Sequence, residues 1–184
     1  MVEDLAQALL EIIVNSISAG AHNIMIQFIV SELNNDIILQ VEDDGKGMDA
    51  ETIERVTNPF YTSRKTRKVG LGLAFFKGLS EMLNGSFRID SEVGKGTTVR
   101  MTMEKNNIDL PKQGNLGEMM MIALHSGPDC EFTFTYQYNE ARFDFDTKQV
   151  KEILETNRIS DPDVLMWVKD FINQEVERTQ TEVL

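Results

Sequence analysis

The stretch Asp43-Asp44-Gly45-Lys46-Gly47-Met48 joins an apolar, β-branched segment to a short segment of helical character. An acidic side chain at the end of a strand can accept a hydrogen bond from an amino group on the edge of a nucleotide base. Glycines have no side chain and let the backbone approach a flat ring closely. The same residues also suit an ordinary glycine turn, so their interpretation depends on the segments before and after them.

The preceding segment, from Val2 to Ala19, has apolar residues at helical spacing, and Gly20 stands where a glycine commonly ends a helix. Glu11 and Asn15 are four residues apart, which places both side chains on one helix face. An amide oxygen is a suitable ligand for Mg²⁺, and the neighbouring carboxylate can orient or deprotonate an attacking group. Two polar residues on a solvated helix face are the simpler alternative.

A third element, Gly70-Leu71-Gly72-Leu73, lies at the start of another predicted helix. Unpaired N–H groups and the helix dipole at such a start favour phosphate, although glycines are common there without any ligand. Residues 57–69 contain Pro59 and no sustained period, which predicts a loop. The loop carries four cations that suit either a solvated basic segment or a cover over a triphosphate: Arg64, Lys65, Arg67 and Lys68.

Hydrophobic periodicity predicts the order helix, strand, strand, helix, loop, helix, strand, strand for the first part of the chain. The predicted helices cover residues 2–19, 49–56 and 71–83, and the predicted strands cover residues 23–31, 37–43, 86–91 and 97–104. This order favours an α+β fold in which a layer of helices covers a mixed sheet.

Residues 105–115 combine Lys, Asn, Pro and Gly and are interpreted as a linker. Residues 116–184 follow as a small α/β extension with predicted helices at 116–125, at 147–155 and from Pro162 onward. Two predicted strands, 131–138 and 142–146, form a hairpin with an aromatic stripe of Phe132, Phe134, Tyr136 and Tyr138. Roughly 70 residues are near the lower limit for independent stability, so we expect the extension to pack on the rest of the chain or on a second copy.

Charge and composition argue against several classes of protein. The net charge is −12, with acidic residues in excess both before and after residue 110, so nucleic acid would be repelled. No apolar run approaches the roughly 20 residues that span a bilayer, so we expect no membrane association. Acidic Glu3 and Asp4 argue against a secretory signal, and Cys130, the single cysteine, forms no intramolecular disulfide. We therefore expect a cytoplasmic protein.

Other well-known nucleotide and metal signatures do not occur in the sequence. No Gly-Lys pair is followed by Ser or Thr, and neither G-x-G-x-x-G nor H-E-x-x-H is present. A P-loop, a Rossmann-type site and a zinc protease are therefore excluded.

Five motifs in order resemble those of the gyrase, heat-shock chaperone, histidine kinase and MutL superfamily of ATPases (GHKL), and of its histidine kinase branch in particular. Glu11 to Ala21 resembles the N box, Asp43 to Met48 the first glycine box, and Asn58 to Arg64 the F box. Gly70 to Leu73 resembles the second glycine box, and Gly94 to Thr98 the turn into the last sheet strand. The resemblance implies a two-layer α/β sandwich with a mixed sheet, the Bergerat-type ATP-binding fold, over residues 1–104.

The resemblance also implies ATP or ADP and Mg²⁺ as ligands. Asp43 would bond the amino group of adenine, with Thr97 or Thr98 reaching the base directly or through water. Asn15 would ligate Mg²⁺, and Glu11 would position the attacking water or acceptor. The loop from Thr57 to Val69 would be a lid over the ATP. Further nucleotide contacts would come from Gly45, Gly47, Met48, Thr62, Ser63, Arg64, Lys65, Gly70, Leu71, Gly72 and Leu73.

The sequence departs from sensor kinases because only ten residues precede Glu11. We therefore expect a stand-alone form without the helical hairpin that carries a phosphoacceptor histidine, and neither His22 nor His125 replaces that histidine. Two classes of function stay open. In one, the protein is an enzyme, either a slow ATPase or a kinase that acts on another protein. In the other, it is a nucleotide-gated binding module with little catalysis. In both, a protein partner or a second copy would bind through the C-terminal extension.

Overall fold

The computed structural model describes residues 4–58, 71–156 and 158–182, including the backbone but not the side chain of Leu71. The helices are α1 (Leu5–Ser18), α2 (Ala50–Thr57), α3 (Leu71–Met82), α4 (Leu116–Ser126), α5 (Thr147–Ile153) and α6 (Pro162–Thr181). The strands are β1 (Asn23–Ser31), β2 (Asp36–Asp43), β3 (Ser86–Glu92), β4 (Gly96–Glu104), β5 (Glu131–Tyr138) and β6 (Ala141–Asp146).

These strands form one sheet in the order β3-β4-β2-β1-β5-β6. Strands β1 and β5 run parallel, and the other neighbouring strands run antiparallel. Alternate side chains along β1 are buried, namely Ile24, Ile26, Phe28 and Val30, so the helices cover one face of the sheet. The predicted α+β fold, a helical layer on a mixed sheet, is confirmed.

Local sequence signals determine where the helices begin and end. Asp4 caps α1 by accepting a hydrogen bond from the N–H of Gln7 at 2.8 Å. Gly20 follows that helix with φ of 78°, a left-handed conformation that glycine adopts without steric cost. Asp49 caps α2 by accepting a hydrogen bond from the N–H of Thr52 at 2.8 Å. The predicted and observed helix ends therefore agree closely in this part of the chain.

The C-terminal extension continues the same sheet. Strand β5 lies beside β1 with Phe134 opposite Ile26, and Phe132, Phe134 and Tyr136 are buried in the same apolar core as β1. Helix α4 packs against α1 on one side and against α6 on the other. The expected packing of the extension on the rest of the chain is thus observed.

The connecting residues 105–115 run back beside the start of α1. The carbonyl of Lys112 accepts a hydrogen bond from the N–H of Leu5, and that of Gln113 from the N–H of Ala6, both at 2.9 Å. These bonds tie the connecting residues to α1, and the extension then adds β5 beside β1 on the side opposite β2. Among the helices in the described part of the chain, none has the length and apolar character needed to cross a membrane.

Candidate functional site

The carboxyl group of Asp43, at the end of β2, is held from two directions. The hydroxyl of Ser16, on α1, donates to Oδ2 at 2.6 Å, and the N–H of Gly45 donates to Oδ1 at 2.9 Å. Only 9% of Asp43 is exposed. Each carboxylate oxygen can accept a second hydrogen bond, so the group is fixed in orientation and still able to accept.

The next residue, Asp44, has a structural role. Its carboxylate accepts hydrogen bonds from the N–H of His22 at 2.7 Å, and from the N–H and side-chain amide of Asn23 at 2.9 and 2.8 Å. Burial acts to raise the pKa of Asp44, but these bonds outweigh burial and lower it. Lys46 donates its N–H to the carbonyl of Ala19 at 3.0 Å, so the glycine stretch is anchored to the turn between α1 and β1.

Two glycines allow the turn after β2 to touch the turn between β3 and β4. A Cβ on Gly47, whose φ is +65°, would lie 2.0 Å from the carbonyl oxygen of Glu92. A Cβ on Gly96, whose φ is +109°, would lie 1.9 Å from the carbonyl oxygen of Asp43. Any side chain at either position would therefore push the two turns apart.

The sheet register separates the two threonines that the sequence left as alternatives. Thr97 lies directly opposite Asp43 and shares its face of the sheet, whereas Thr98 lies opposite Glu42 on the other face. We therefore retain Thr97 in the candidate site and remove Thr98. Ser91 on β3 lies beside Thr97, with 2.8 Å between the two hydroxyl oxygens, and accepts a hydrogen bond from the N–H of Met48 at 2.8 Å.

Glu11 and Asn15 converge on the start of α3. A Cβ on Gly72 would lie 3.3 Å from Oε2 of Glu11 and 3.8 Å from Nδ2 of Asn15. Glu11 is exposed and Asn15 is half-buried, so both can be reached from solvent. Leu73, in contrast, is buried in the core and supports α3 through its side chain.

Part of the predicted site belongs to the segment between α2 and α3. Thr62, Ser63, Arg64, Lys65 and Gly70, with most of the predicted lid and F box, lie outside the described residues. The backbone of Leu71 belongs to the first turn of α3. The described part of the site therefore consists of the N box, the first glycine box, the first turn of α3 and the turn into β4.

Sequence reasoning did not assign a site role to Ser16 or Ser91. Ser16 stands among the apolar residues that α1 turns toward the core, and a lone hydroxyl on that stripe is a usable signal of a buried polar contact. Ser91 offered no comparable signal, because its role depends on strand pairing between β3 and β4.

Several sensor kinases are similar to this chain over the same region. Sensor histidine kinase YvrG of Bacillus subtilis is 36% identical over 95 residues, which cover 50% of this chain and 16% of that protein. Heme sensor protein HssS of Staphylococcus saprophyticus is 36% identical over 102 residues, covering 55% and 22%. Sensor histidine kinase ZraS of Escherichia coli K12 is 31% identical over 110 residues, covering 60% and 23%.

The chain thus spans less than a quarter of the length of these curated relatives. Residues 2–107, more than half of the chain, match the family described as histidine kinase-, DNA gyrase B-, and HSP90-like ATPases. That match agrees with the mixed sheet, with the carboxyl group at the end of β2, and with the convergence of α1 on the start of α3. The chain belongs to the histidine kinase-, DNA gyrase B-, and HSP90-like ATPase family.

Proposed function

We propose that this chain binds ATP with Mg²⁺ and either hydrolyses it slowly or transfers its γ-phosphate to a partner protein. The arrangement of α1 carries this proposal. Ser16 on α1 holds Asp43, while Asn15 and Glu11 on the same helix lie next to Gly72. Five residues of helix, about 7.5 Å, separate Ser16 from Glu11, so one rigid element connects a base-binding end to a phosphate-binding end.

At the base-binding end, Asp43 would accept a hydrogen bond from the adenine amino group, and Thr97 would assist on the same face of the sheet. The backbone of Gly45 and Gly47 would lie against the ring, with Met48 beside it. Because the carboxyl group is already oriented by Ser16 and Gly45, little ordering would remain to be done when the base arrives.

At the phosphate-binding end, the first turn of α3 offers N–H groups at Leu71, Gly72 and Leu73. The residues present also fit Mg²⁺. Mg²⁺ in nucleotide sites takes one or two protein oxygens and completes its octahedron with phosphate and water, so the Asn15 amide can be sufficient. Among the described residues no group of three His, Cys, Asp or Glu side chains could hold a metal by itself, which agrees with a site that depends on the nucleotide. From the sequence alone, Thr62, Ser63, Arg64, Lys65 and Gly70 would complete the phosphate contacts.

Bound Mg²⁺ would neutralise charge on the phosphates. Glu11 would orient or deprotonate the attacking group, because its carboxylate is exposed beside Gly72 at the start of α3. Similarity to the sensor histidine kinases YvrG and ZraS supports a kinase role.

A second candidate function is a nucleotide-gated binding module with little catalysis. One observation favours it. Trp167 on α6 is 43% exposed and stacks on the half-buried Phe171 with ring centroids 4.9 Å apart, and an exposed tryptophan supported in this way suits a protein interface. The binding partner would be another protein or a second copy of the chain, bound through the extension.

The proposed base contact is tested by isothermal titration calorimetry with ATP and Mg²⁺. Asp43→Asn should weaken binding by about 1.5–3 kcal/mol, since an amide can place a donor against the donor of the base. Glu42→Gln is the matched control, because it removes the same charge from the neighbouring residue on the opposite face of the sheet. Equal ATP affinity in the Asp43→Asn variant and the unmodified protein would show that Asp43 does not read the base.

The two candidate functions are separated by radiolabelled ATP, incubated with the protein alone and with cell lysate. Labelled phosphate on a second protein would support the kinase, and free labelled phosphate would support the ATPase. Binding of ATP without either product would favour the gated module.

A further inference from the structure

The Ser91 hydroxyl has one proton, but it lies within hydrogen-bonding distance of three groups. Its hydroxyl accepts from the N–H of Met48 at 2.8 Å, donates to the carbonyl oxygen of Gly96 at 2.9 Å, and lies 2.8 Å from the hydroxyl of Thr97. A carbonyl oxygen can only accept, so the Ser91 proton is directed at Gly96. The remaining bond therefore takes its proton from Thr97.

Because Thr97 donates its proton to Ser91, it has no proton left for a hydrogen bond to a ligand. The hydroxyl of Ser16 is in the same position, because its proton is donated to Asp43 at 2.6 Å. The Asp43 carboxylate accepts from Ser16 and from Gly45. All three side chains at the base-binding end of the site thus present hydrogen-bond acceptors.

We propose that Ser91 is a specificity-determining residue, which fixes Thr97 as an acceptor and thereby selects purines with an amino group over purines with an oxo group at the same position. The proposal rests on the proposed function, ATP binding at this site. An amino group supplies the donors that these acceptors require. An oxo group would place another acceptor against them, and a mismatch of buried polar groups is costly.

Loss of Ser91 should change this preference in a defined direction. In Ser91→Ala, the Thr97 hydroxyl is released and can rotate to donate its proton to an oxo group. The variant should therefore weaken ATP binding more than it weakens binding of inosine triphosphate, whose base carries an oxo group in place of the amino group and a hydrogen on the neighbouring ring nitrogen, N1. A merely structural role for Ser91 would weaken both by the same factor.

The test is calorimetric measurement of the Kd for ATP and for inosine triphosphate, each with Mg²⁺. The preference for ATP should fall by about five- to twentyfold in Ser91→Ala and should be restored in Ser91→Thr, which keeps the hydroxyl. Ser86→Ala is the matched control. Ser86 lies on the same strand, with its hydroxyl 2.9 Å from that of Thr102, and makes the same kind of cross-strand pair far from Asp43.

An unchanged ratio of the two Kd values in Ser91→Ala would overturn the proposal and leave Ser91 as a structural residue. Should that variant fail to fold, as judged by circular dichroism, Thr97→Val provides the second measurement. It removes the acceptor itself, so the preference for ATP must fall there too, and an unchanged ratio would again overturn the proposal. If the unmodified protein binds neither nucleotide, the proposed function fails and this inference fails with it.

Discussion

The family-matched part of the chain and the C-terminal extension share one sheet and one core, but they use polar side chains differently. In the family-matched part, Asp43 and Thr97 lie on one face of the sheet, at the end of β2 and the start of β4, and Glu11 is exposed near the start of α3. In the extension, polar groups satisfy each other. The hydroxyl of Tyr136 donates to Gln113 at 3.0 Å and accepts from the amide of Gln180 at 2.7 Å.

A second closed group in the extension shows the same pattern. Glu131 accepts from the hydroxyl of Thr147 at 2.5 Å and from the ammonium of Lys151 at 2.6 Å. Burial acts to raise the pKa of Glu131, but these two bonds outweigh it and lower the pKa. If the first part holds the proposed nucleotide site and the extension contributes mainly to the fold, substitutions in the two parts should have separable effects.

The largest expected effect is on turnover, at Glu11. Glu11→Ala should lower the rate of ATP hydrolysis or phosphotransfer by about 10²–10⁴-fold, the usual contribution of a positioned acid or base. The free energy of unfolding should change little, because the Glu11 side chain is exposed. Steady-state phosphate release measures the first quantity, and urea denaturation the second. Glu81→Ala, an exposed glutamate on α3, is the control and should keep full turnover. Wild-type turnover in Glu11→Ala would remove the catalytic assignment.

At Phe134 in the extension we expect the opposite pattern, a loss of stability with no change in ATP affinity. Phe134→Ala should lower the free energy of unfolding by about 3–5 kcal/mol, since the ring is fully buried beside β1 and its loss leaves a cavity. The folded fraction should bind ATP with unchanged affinity. Ile153→Ala is the control, because Ile153 is 75% exposed and should cost less than about 0.5 kcal/mol. A change in ATP affinity of the folded protein would contradict the separation of the two parts.

The sequence predicted the local structure well, and the reasons are specific. Asp49 and Gly20 mark helix ends through their own short-range chemistry, and the alternation of apolar residues in residues 23–31 reports one buried face. The pairing of β5 with β1 could not be predicted, because two strands about 100 residues apart in the sequence carry no local signal of their register.

In the candidate site, too, residues in local motifs were predictable and residues placed by strand pairing were not. Asp43 and Glu11 belong to motifs that can be read along the chain, whereas choosing Thr97 over Thr98 required the register of β4 against β2. A shift of one residue moves a side chain to the other face, so the sequence alone leaves both threonines possible. Ser91 was missed for the same reason.

An effect of intermediate size on the free energy of unfolding is expected at high pH, where the Tyr136 hydroxyl ionises. Burial raises the pKa of Tyr136 to about 12, from 10.0, despite the hydrogen bond from Gln180 that lowers it. The raised pKa means that the folded state keeps the proton longer than the unfolded state. The stabilisation is therefore complete below pH 10 and is lost between about pH 10 and 12, by on the order of 2 kcal/mol.

Tyr136→Phe isolates this contribution, because the other titrating groups are common to both proteins. Urea denaturation across pH 9–12 should show a steeper loss of stability in the unmodified protein than in the variant. Parallel curves would show that the Tyr136 hydroxyl does not keep its proton longer in the folded state. That result would contradict the closed group of hydrogen bonds described for Tyr136.

The smallest expected effect concerns the contact between the two parts near the nucleotide end of the sheet. The thiol of Cys130, just before β5, donates to the carbonyl of Ala21, just before β1, at 3.1 Å. Burial raises the pKa of this thiol, with smaller contributions from nearby carboxylates, so it stays protonated and able to donate. The N–H of Glu131 donates to the carbonyl of His22 at 2.7 Å, and this backbone bond does not depend on the Cys130 side chain.

Cys130→Ala should therefore lower the free energy of unfolding by only about 1 kcal/mol and alter ATP affinity by less than about threefold. The turn that Cys130 contacts also contains Ala19, whose carbonyl accepts from the N–H of Lys46 in the first glycine box. These contacts connect the extension to the proposed nucleotide site. A larger loss of ATP affinity than of stability, measured by calorimetry and urea denaturation on the same preparation, would show that the route carries coupling. The extension would then regulate the site in addition to stabilising the fold.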